Sequence, residues 1–316
     1  MRNATAYLFA PVKKISINIL NFFTLIIILI CFWPHISAAE MVSATFTDRF
    51  PVTLRDTVSP DSTLPEVTIK RSWPLPEALQ RISGFDFIDA TTIACVQDAA
   101  GAIYIYNLKT RKIVKEIPFA PPGDYQAICI VGTTAFVACA DGRIVEISRF
   151  MSAKPQMREY GTHLTSKQNA KGICFDKKGN RLLVSIEGEE EGSPAYKGIY
   201  AFDLKTKKMP VSPAIRINLN DSVVNPANSR KFQQLIQPSD ISIRSGTGRL
   251  FICDATKSQL VVVDNTGNIK TIAAFPRKEI IQPEGIRFGP SGELFVVSGG
   301  SKDEPGKLLL IEMPLN

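Results

Sequence analysis

The chain has 316 residues, of which 45% are apolar, and it carries a formal net charge of +7. This length is enough for one large all-β domain or two average ones, and the apolar fraction is enough for a substantial core. No Lys/Arg run with interleaved aromatic residues occurs, so the composition argues against nucleic-acid binding, which requires a concentrated basic face.

Residues 1–39 have the layout of an export signal. They contain three basic residues and no acidic one, and an apolar run covers 15–33. Ser37, Ala38 and Ala39 supply the small side chains that a signal peptidase requires, which predicts cleavage after Ala39. The alternative is an uncleaved N-terminal anchor, because about 18–20 apolar residues span a bilayer. In both cases we expect export, to the periplasm or out of the cell, with membrane contact only through this segment if it is retained.

A flexible lead and a single folded domain are predicted after the signal. Residues 40–64 are rich in Thr, Ser, Asp and Pro, a composition typical of a poorly ordered linker. A lone strand is predicted over 66–74, and the folded domain is expected to occupy 65–316.

Five segments of the domain share one form, a small or polar pair followed by alternating apolar residues. They are Ser83-Gly84-Phe85, Gln126-Ala127-Ile128, Lys171-Gly172-Ile173, Ser239-Asp240-Ile241 and Glu284-Gly285-Ile286. Their second positions are 43, 45, 68 and 45 residues apart. A period of about 40–50 residues is that of a four-stranded propeller blade.

Each repeat contains short strands rather than long helical patterns. Strands are predicted at 82–88, 91–97, 102–108 and 113–119 in the first repeat, and at 238–243, 249–253, 259–264 and 269–275 in the fourth. The 68-residue interval adds a loop over 187–194 and a short helix within 220–237, which we expect to cover a blade. This pattern argues against a parallel α/β sheet.

The two ends of the domain complete each other. After Gly285 only three strands are predicted, at 286–289, 293–298 and 307–312, whereas the lone strand at 66–74 precedes the first repeat. Pairing these ends removes exposed sheet edges. The sequence therefore predicts an all-β fold, a five-bladed β-propeller with four-stranded antiparallel blades, whose ring is closed by the N-terminal strand pairing with the C-terminal blade.

Candidate catalytic groups are scarce. Five cysteines follow the signal, each inside an apolar β-run, and we expect them to pack as buried thiols. His163 is the one histidine after the signal, which excludes multi-histidine metal sites, and no G-x-S-x-G elbow accompanies it. We expect His163 at the surface, at an outer strand end, and we predict no catalytic residue.

An ordered set of short motifs resembles those of a known family. The motifs are Ile82–Gly84, Gly123–Ile128, Lys197–Leu204, Gln237–Ile241 and Gln282–Ile286. Over roughly residues 66–312 the chain resembles the SdiA-regulated family, whose members are distantly similar to NHL-repeat proteins. The resemblance implies an exported five-bladed propeller with a calcium site, for which no enzymatic activity is established.

The chain departs from the family pattern where acidic residues are expected. Gln126 replaces one of them, and Lys171, which repels a dication, lies where another is expected. Glu284, Asp240 and Asp124 remain as candidate calcium ligands, together with carbonyl oxygens. Calcium takes six to eight oxygen ligands, so these departures leave calcium binding open.

Three further carboxylates recur at comparable ends of second strands, which lie near one mouth of a propeller channel. They are Asp98, Glu187 and Asp254. Such a ring binds a cation or cationic ligand, or it caps turns. The acidic loop at 187–191 is expected to be solvated.

Two functions compete on this basis. One is a binding or scaffold module of the cell envelope, which holds an envelope protein or a small ligand. The other is a calcium-dependent hydrolase of lactonase or phosphoesterase type, with a metal held by several carboxylates at the channel mouth. The metal content of the purified protein discriminates between them.

Overall fold

The structure, a computed structural model, describes residues 64–225, 227 and 231–314. Within these residues it contains twenty strands in five four-stranded antiparallel sheets. The strands are β1 (Thr68–Pro74), β2 (Ile82–Asp89), β3 (Thr92–Gln97), β4 (Ala102–Asn107), β5 (Lys112–Pro118), β6 (Tyr125–Val131), β7 (Thr134–Cys139), β8 (Ile144–Ser148), β9 (Gln156–Tyr160), β10 (Ala170–Asp176), β11 (Arg181–Ile186), β12 (Tyr196–Asp203), β13 (Ile215–Asn218), β14 (Asp240–Ile243), β15 (Leu250–Asp254), β16 (Gln259–Val263), β17 (Ile269–Ala274), β18 (Pro283–Phe288), β19 (Leu294–Ser298) and β20 (Lys307–Glu312).

The five sheets are the blades of a β-propeller. Blades I to IV each use four consecutive strands, from β2–β5 to β14–β17, and blade V has the order β1-β20-β19-β18. The inner strands β2, β6, β10, β14 and β18 contact one another in this order, and β18 contacts β2 to close the ring. The predicted fold, an all-β propeller with five antiparallel blades, is confirmed.

The N-terminal strand completes the last blade. β1 pairs antiparallel with β20, from Thr68 opposite Glu312 to Pro74 opposite Lys307. The residues just before β1 also reach blade IV, where the Val67 amide donates to the Ala274 carbonyl at 3.0 Å. The N-terminal segment is therefore joined to the last two blades of the domain by main-chain hydrogen bonds.

The core lies between the blades rather than in one central mass. Five clusters of buried apolar side chains fill the five interfaces between neighbouring blades. Near the axis the inner strands come so close that a Cβ at Gly84 would lie 2.7 Å from the Ala127 Cα, and one at Gly172 would lie 2.7 Å from the Ile241 amide nitrogen. This crowding explains why the second position of the repeat is mostly glycine or alanine. The five buried cysteines belong to this packing as free thiols.

The short helix predicted within 220–237 is present as a single 3-10 turn. Among the described residues of that stretch, the turn covers Phe232–Gln234, and Phe232, Leu235 and Ile236 pack against the interface of blades III and IV, as expected for a segment that covers a blade. Among the described residues, no helix is long and apolar enough to cross a membrane.

The predicted signal at 1–39 lies outside the described residues. The same is true of the predicted flexible lead at 40–64, except for its last residue, Leu64, which packs against the cluster between blades III and IV.

Ring closure by β1 can be tested at Trp73. Its side chain is 6% exposed and packs on the Phe295 ring at a centroid distance of 6.0 Å. We expect Trp73→Ala to lower the free energy of unfolding by about 3–5 kcal/mol, measured by urea denaturation, because a large buried aromatic side chain is lost. Val114→Ala is the control, since Val114 is 60% exposed on another outer strand and its loss should cost less than about 0.5 kcal/mol. Equal losses in the two variants would contradict closure of the ring by β1.

Candidate functional site

A pocket of about 200 Å³ lies at the channel mouth, where the inner strands begin. Side chains from blades I, II, III and V line it. They are Gln80, Arg81, Ile82, Ser83, Asp98, Asp124, Gln126, Lys171, Gln282 and Glu284, with Gly299 and Gly300 at one side. We call this the mouth pocket.

The sequence repeat explains how the pocket is built. The five repeat motifs begin with Ser83, Gln126, Lys171, Ser239 and Glu284. All of these residues except Ser239 line the mouth pocket. Ser83 Oγ also donates to the Tyr125 carbonyl of the next blade at 2.8 Å, and the equivalent serine of blade IV makes the corresponding bond to blade V. This one position of the repeat therefore supplies both hydrogen bonds between neighbouring blades and side chains that line the pocket.

Both cationic groups of the pocket are already engaged. Arg81 Nε donates to Asp98 Oδ2 at 3.1 Å. Lys171 Nζ donates to Gln126 Oε1 at 2.8 Å and lies 3.9 Å from Glu187 Oε2. The Gln126 amide in turn donates to an Asp124 carboxylate oxygen. These contacts form a chain of hydrogen bonds and charges around the pocket wall.

Two carboxylates of the pocket keep acceptor capacity. Glu284 is partly buried and accepts no hydrogen bond from the described residues; desolvation raises its pKa, and the nearby Lys171 charge opposes that rise. Asp98 Oδ1 is buried and has no hydrogen-bond partner among the described residues. A buried acceptor without a donor costs about 1–3 kcal/mol, so this arrangement is unfavourable until a donor is supplied.

Asp240, predicted together with Glu284 and Asp124 as a calcium ligand, does not join them. Its side chain is fully buried deeper in the channel, where Oδ2 accepts the Ile286 amide at 2.9 Å and Arg287 Nη1 at 2.6 Å. Burial raises the pKa of Asp240 to about 6, and the Arg287 charge opposes the rise.

Arg287 fills the channel at this depth. Its side chain is 4% exposed, and Nη2 donates to the Ile128 and Ile173 carbonyls at 2.8 and 2.6 Å. Nη1 donates to the Ile241 carbonyl at 2.8 Å as well as to Asp240. Burial acts to lower the pKa of Arg287, but the surrounding carboxylates outweigh it and raise that pKa. The guanidinium is therefore a permanent charge at the centre of the ring.

The residues around Asp240 do not fit a calcium ion, because a guanidinium already takes the oxygens that the ion would need. Among the residues that the structure describes, no group of three or more His, Cys, Asp or Glu side chains lies close enough to hold a metal. Glu284 and Asp124 share the mouth pocket with the Lys171 ammonium. Calcium binding by this pair stays a prediction.

The three second-strand carboxylates separate into different roles. Asp98 lines the mouth pocket, and Glu187 lies beside Lys171 and accepts the Asn169 side-chain amide at 2.8 Å. Asp254 is fully buried and accepts hydrogen bonds from the Gln237 and Lys257 amides and from the Gln259 side chain. Asp254 thus organises the turn after β15, and the structure does not bring it to the mouth pocket.

The acidic loop is not uniformly solvated, contrary to the prediction. Glu190 is 5% exposed and accepts the Tyr200 hydroxyl at 2.5 Å and the Gly198 amide at 2.6 Å. Lys197 is fully buried beside it, donates to the Gly188 carbonyl at 2.6 Å, and has its pKa lowered to about 8 by burial. These contacts fold the loop back onto blade III.

His163 lies just after the outer strand β9, as predicted, but it is partly buried rather than at the surface. Its ring packs edge-on against Tyr200 at 5.1 Å, and burial lowers its pKa. Neither ring nitrogen has a hydrogen-bond partner within the described part of the chain. The aromatic contact accounts for its placement in the fold.

Sequence reasoning missed Arg287. It lies two residues after Gly285, at the repeat position that holds Asp86 in blade I. The other equivalents are Cys129, Cys174 and Ser242. An arginine and an aspartate at the same position of two apolar inner strands were the signal that could have found it.

Comparison with known proteins supports the fold. No family model matches the sequence, and no curated protein matches it. Among solved structures, the glutaminyl cyclase of Myxococcus xanthus is 14% identical, with 78% of this chain and 95% of that chain covered and a TM-score of 0.53. The PQQ-bound aldose sugar dehydrogenase of Streptomyces coelicolor is 12% identical, with 78% and 98% covered and a TM-score of 0.50. At such identities the likeness establishes a β-propeller, and membership of the SdiA-regulated family stays a prediction.

The lack of a hydrogen-bond donor for Glu284 can be tested by replacing its carboxylate with an uncharged amide. We expect Glu284→Gln to raise the free energy of unfolding at pH 7 by about 1 kcal/mol, because an ionised, partly desolvated group without a donor is removed. Since the folded-state pKa of Glu284 is raised, its penalty is present above that pKa and disappears as the pH falls below it. Urea unfolding of the two proteins should therefore converge in acid. Glu293→Gln, at an exposed turn, is the control and should change little at either pH. A destabilised Glu284→Gln protein at pH 7 would contradict this account.

Proposed function

We propose that this protein is an exported β-propeller of the cell envelope, periplasmic or secreted, that acts as a binding module with its ligand in the mouth pocket. One observation carries the proposal: Asp98 Oδ1 is buried without a hydrogen-bond donor among the described residues, and the partly buried Glu284 of the same pocket also accepts none, while the two cations of the pocket are already paired. A site with spare acceptors is completed by a ligand that brings donors.

The chemistry of the pocket favours an ammonium-bearing ligand. Three carboxylates and two cations line it, so its formal charge is negative. Its volume of about 200 Å³ is below the roughly 300–1,000 Å³ of pockets for drug-sized molecules. The ligand is therefore a small amine, or the amine terminus of a longer molecule, including a lysine side chain of an envelope protein.

The calcium-dependent hydrolase predicted as the alternative requires a metal held by several carboxylates. No cluster of described residues offers one, and Arg287 and Lys171 place positive charge where the predicted ligands lie. Metal analysis of the purified protein tests this alternative and the calcium prediction together. Stoichiometric calcium would support both.

Amine binding is tested by thermal unfolding with putrescine as the probe. A ligand that binds only the folded state raises the Tm. A free ligand concentration 100 times Kd raises the free energy of unfolding by about 2.7 kcal/mol. For a domain of this size that corresponds to a rise of roughly 5–10 °C. Succinate at equal ionic strength should leave the Tm unchanged.

The same titration on two variants locates the site. Glu284→Gln should lose the putrescine response, whereas Glu293→Gln should keep it. A response of equal size in the wild-type protein and in Glu284→Gln would rule out the mouth pocket as the amine site.

Export is tested by the N-terminus of the protein isolated from cells that produce it. We expect the first residue of the mature protein to be Glu40, with the protein in the periplasm or the medium, because cleavage is predicted after Ala39. Ala39→Arg should block cleavage and keep the protein in the membrane fraction. Intact wild-type protein in the cytoplasm would contradict export.

A further inference from the structure

The channel contains a cage of oxygen atoms that follows from the fold. The inner strand of each blade has one hydrogen-bonded neighbour, so its other edge faces the axis with unpaired carbonyl groups. The carbonyls of Ile128, Ile173, Ile241 and Ile286, the third residues of four repeats, converge at one depth. Buried backbone carbonyls require donors, so this depth of the channel must hold a donor or a cation.

Two carboxylates complete the cage. Asp240 from blade IV accepts the Ile286 amide of blade V, and Asp86 from blade I accepts the Ile130 amide of blade II at 2.7 Å. Asp86 Oδ1 also lies 3.9 Å from Arg287 Nε. The cage thus draws oxygens from all five blades and carries negative charge.

The number and type of these oxygens are those of a cation site. Calcium in proteins takes six to eight oxygens from carboxylates and carbonyls. Here four carbonyls and two carboxylates surround the guanidinium of Arg287, an arginine that stays charged at all pH values at which proteins fold. Blade V therefore contributes, as a side chain, the positive charge that the other blades require.

We propose that Arg287 is the built-in cation of the channel, which occupies the position of a bound metal ion and holds the five blades to one another. This role is separate from the mouth pocket, whose lining does not include Arg287. The five blades therefore surround an arginine of the same polypeptide, and no metal ion is needed at this depth of the channel.

Chemical rescue tests the proposal. Arg287→Ala leaves buried carboxylates unpaired and should lower the Tm by on the order of 10 °C. About 20 mM guanidinium chloride should restore at least half of that loss in a saturable manner, because the free ion fits the vacated cage. Sodium chloride at the same ionic strength should restore little.

Arg143→Ala is the matched control. Arg143 makes two ion pairs at the surface, with Asp141 and Glu159, both at 2.8 Å. Its loss removes the same side chain without opening a cage. The wild-type protein and Arg143→Ala should therefore show no rise of Tm with guanidinium.

A second variant keeps the test decisive if Arg287→Ala does not fold. Arg287→Ala combined with Asp240→Asn removes one buried charge of each sign and should fold better than the single variant. Its apparent affinity for guanidinium should be at least tenfold weaker. If the double variant responds like the single one, or if sodium chloride rescues as well as guanidinium, Arg287 is not the channel cation. A Tm loss below about 2 °C in Arg287→Ala would overturn the proposal as well.

Discussion

The rest of the structure depends on the unpaired edges of five inner strands. In a propeller blade, the main-chain groups of each strand form hydrogen bonds with the next strand outward. The innermost strand has no neighbouring strand on the channel side. Closing the ring brings five such edges together and surrounds them with apolar interfaces, where an unmet carbonyl costs about 1–3 kcal/mol. At each depth of the channel, these carbonyl groups therefore require a hydrogen-bond donor or a cation. Arg287 meets it in the interior, whereas polar side chains and solvent meet it at the mouth.

This constraint is also why much of the fold could be predicted from the sequence. In four of the five blades the second repeat position is glycine or alanine, and at Gly84 and Gly172 the neighbouring inner strand leaves no room for a larger side chain. A steric requirement that recurs in most blades leaves a period in the chain, and the period gives the blade count. The stretch over 220–237 had no such requirement. Its geometry depends on packing against blades III and IV, so the spacing of its apolar residues indicated a short helix but neither its length nor its 3-10 geometry.

The candidate site could be predicted only in part, because strand alternation separates residues that are neighbours in sequence. Glu284 occupies the first position of its repeat and lines the mouth pocket, whereas Asp240 occupies the second position and lies against Arg287. Successive side chains of a strand point to opposite faces, so residues at adjacent positions of the repeat do not line the same site. The partners of Arg287 were even less accessible to sequence reasoning. Ile128 lies 159 residues from it and Ile173 lies 114 residues from it.

The two charged layers of the channel differ in the groups that their side chains contact. In the interior, both terminal nitrogens of Arg287 donate to carbonyls and to Asp240 and so link the blades, although Arg287 Nε and Asp240 Oδ1 have no hydrogen-bond partner among the described residues. At the mouth, Asp98 Oδ1 is buried without a donor among the described residues, and Glu284 keeps acceptor capacity although its partial burial is unfavourable for its charge. Unmet buried polar groups are rare in folded proteins and require a reason. The interior layer already holds the ring together, so the fold tolerates unpaired acceptors at the mouth. Binding of a ligand that brings donors is the simplest reason for these acceptors.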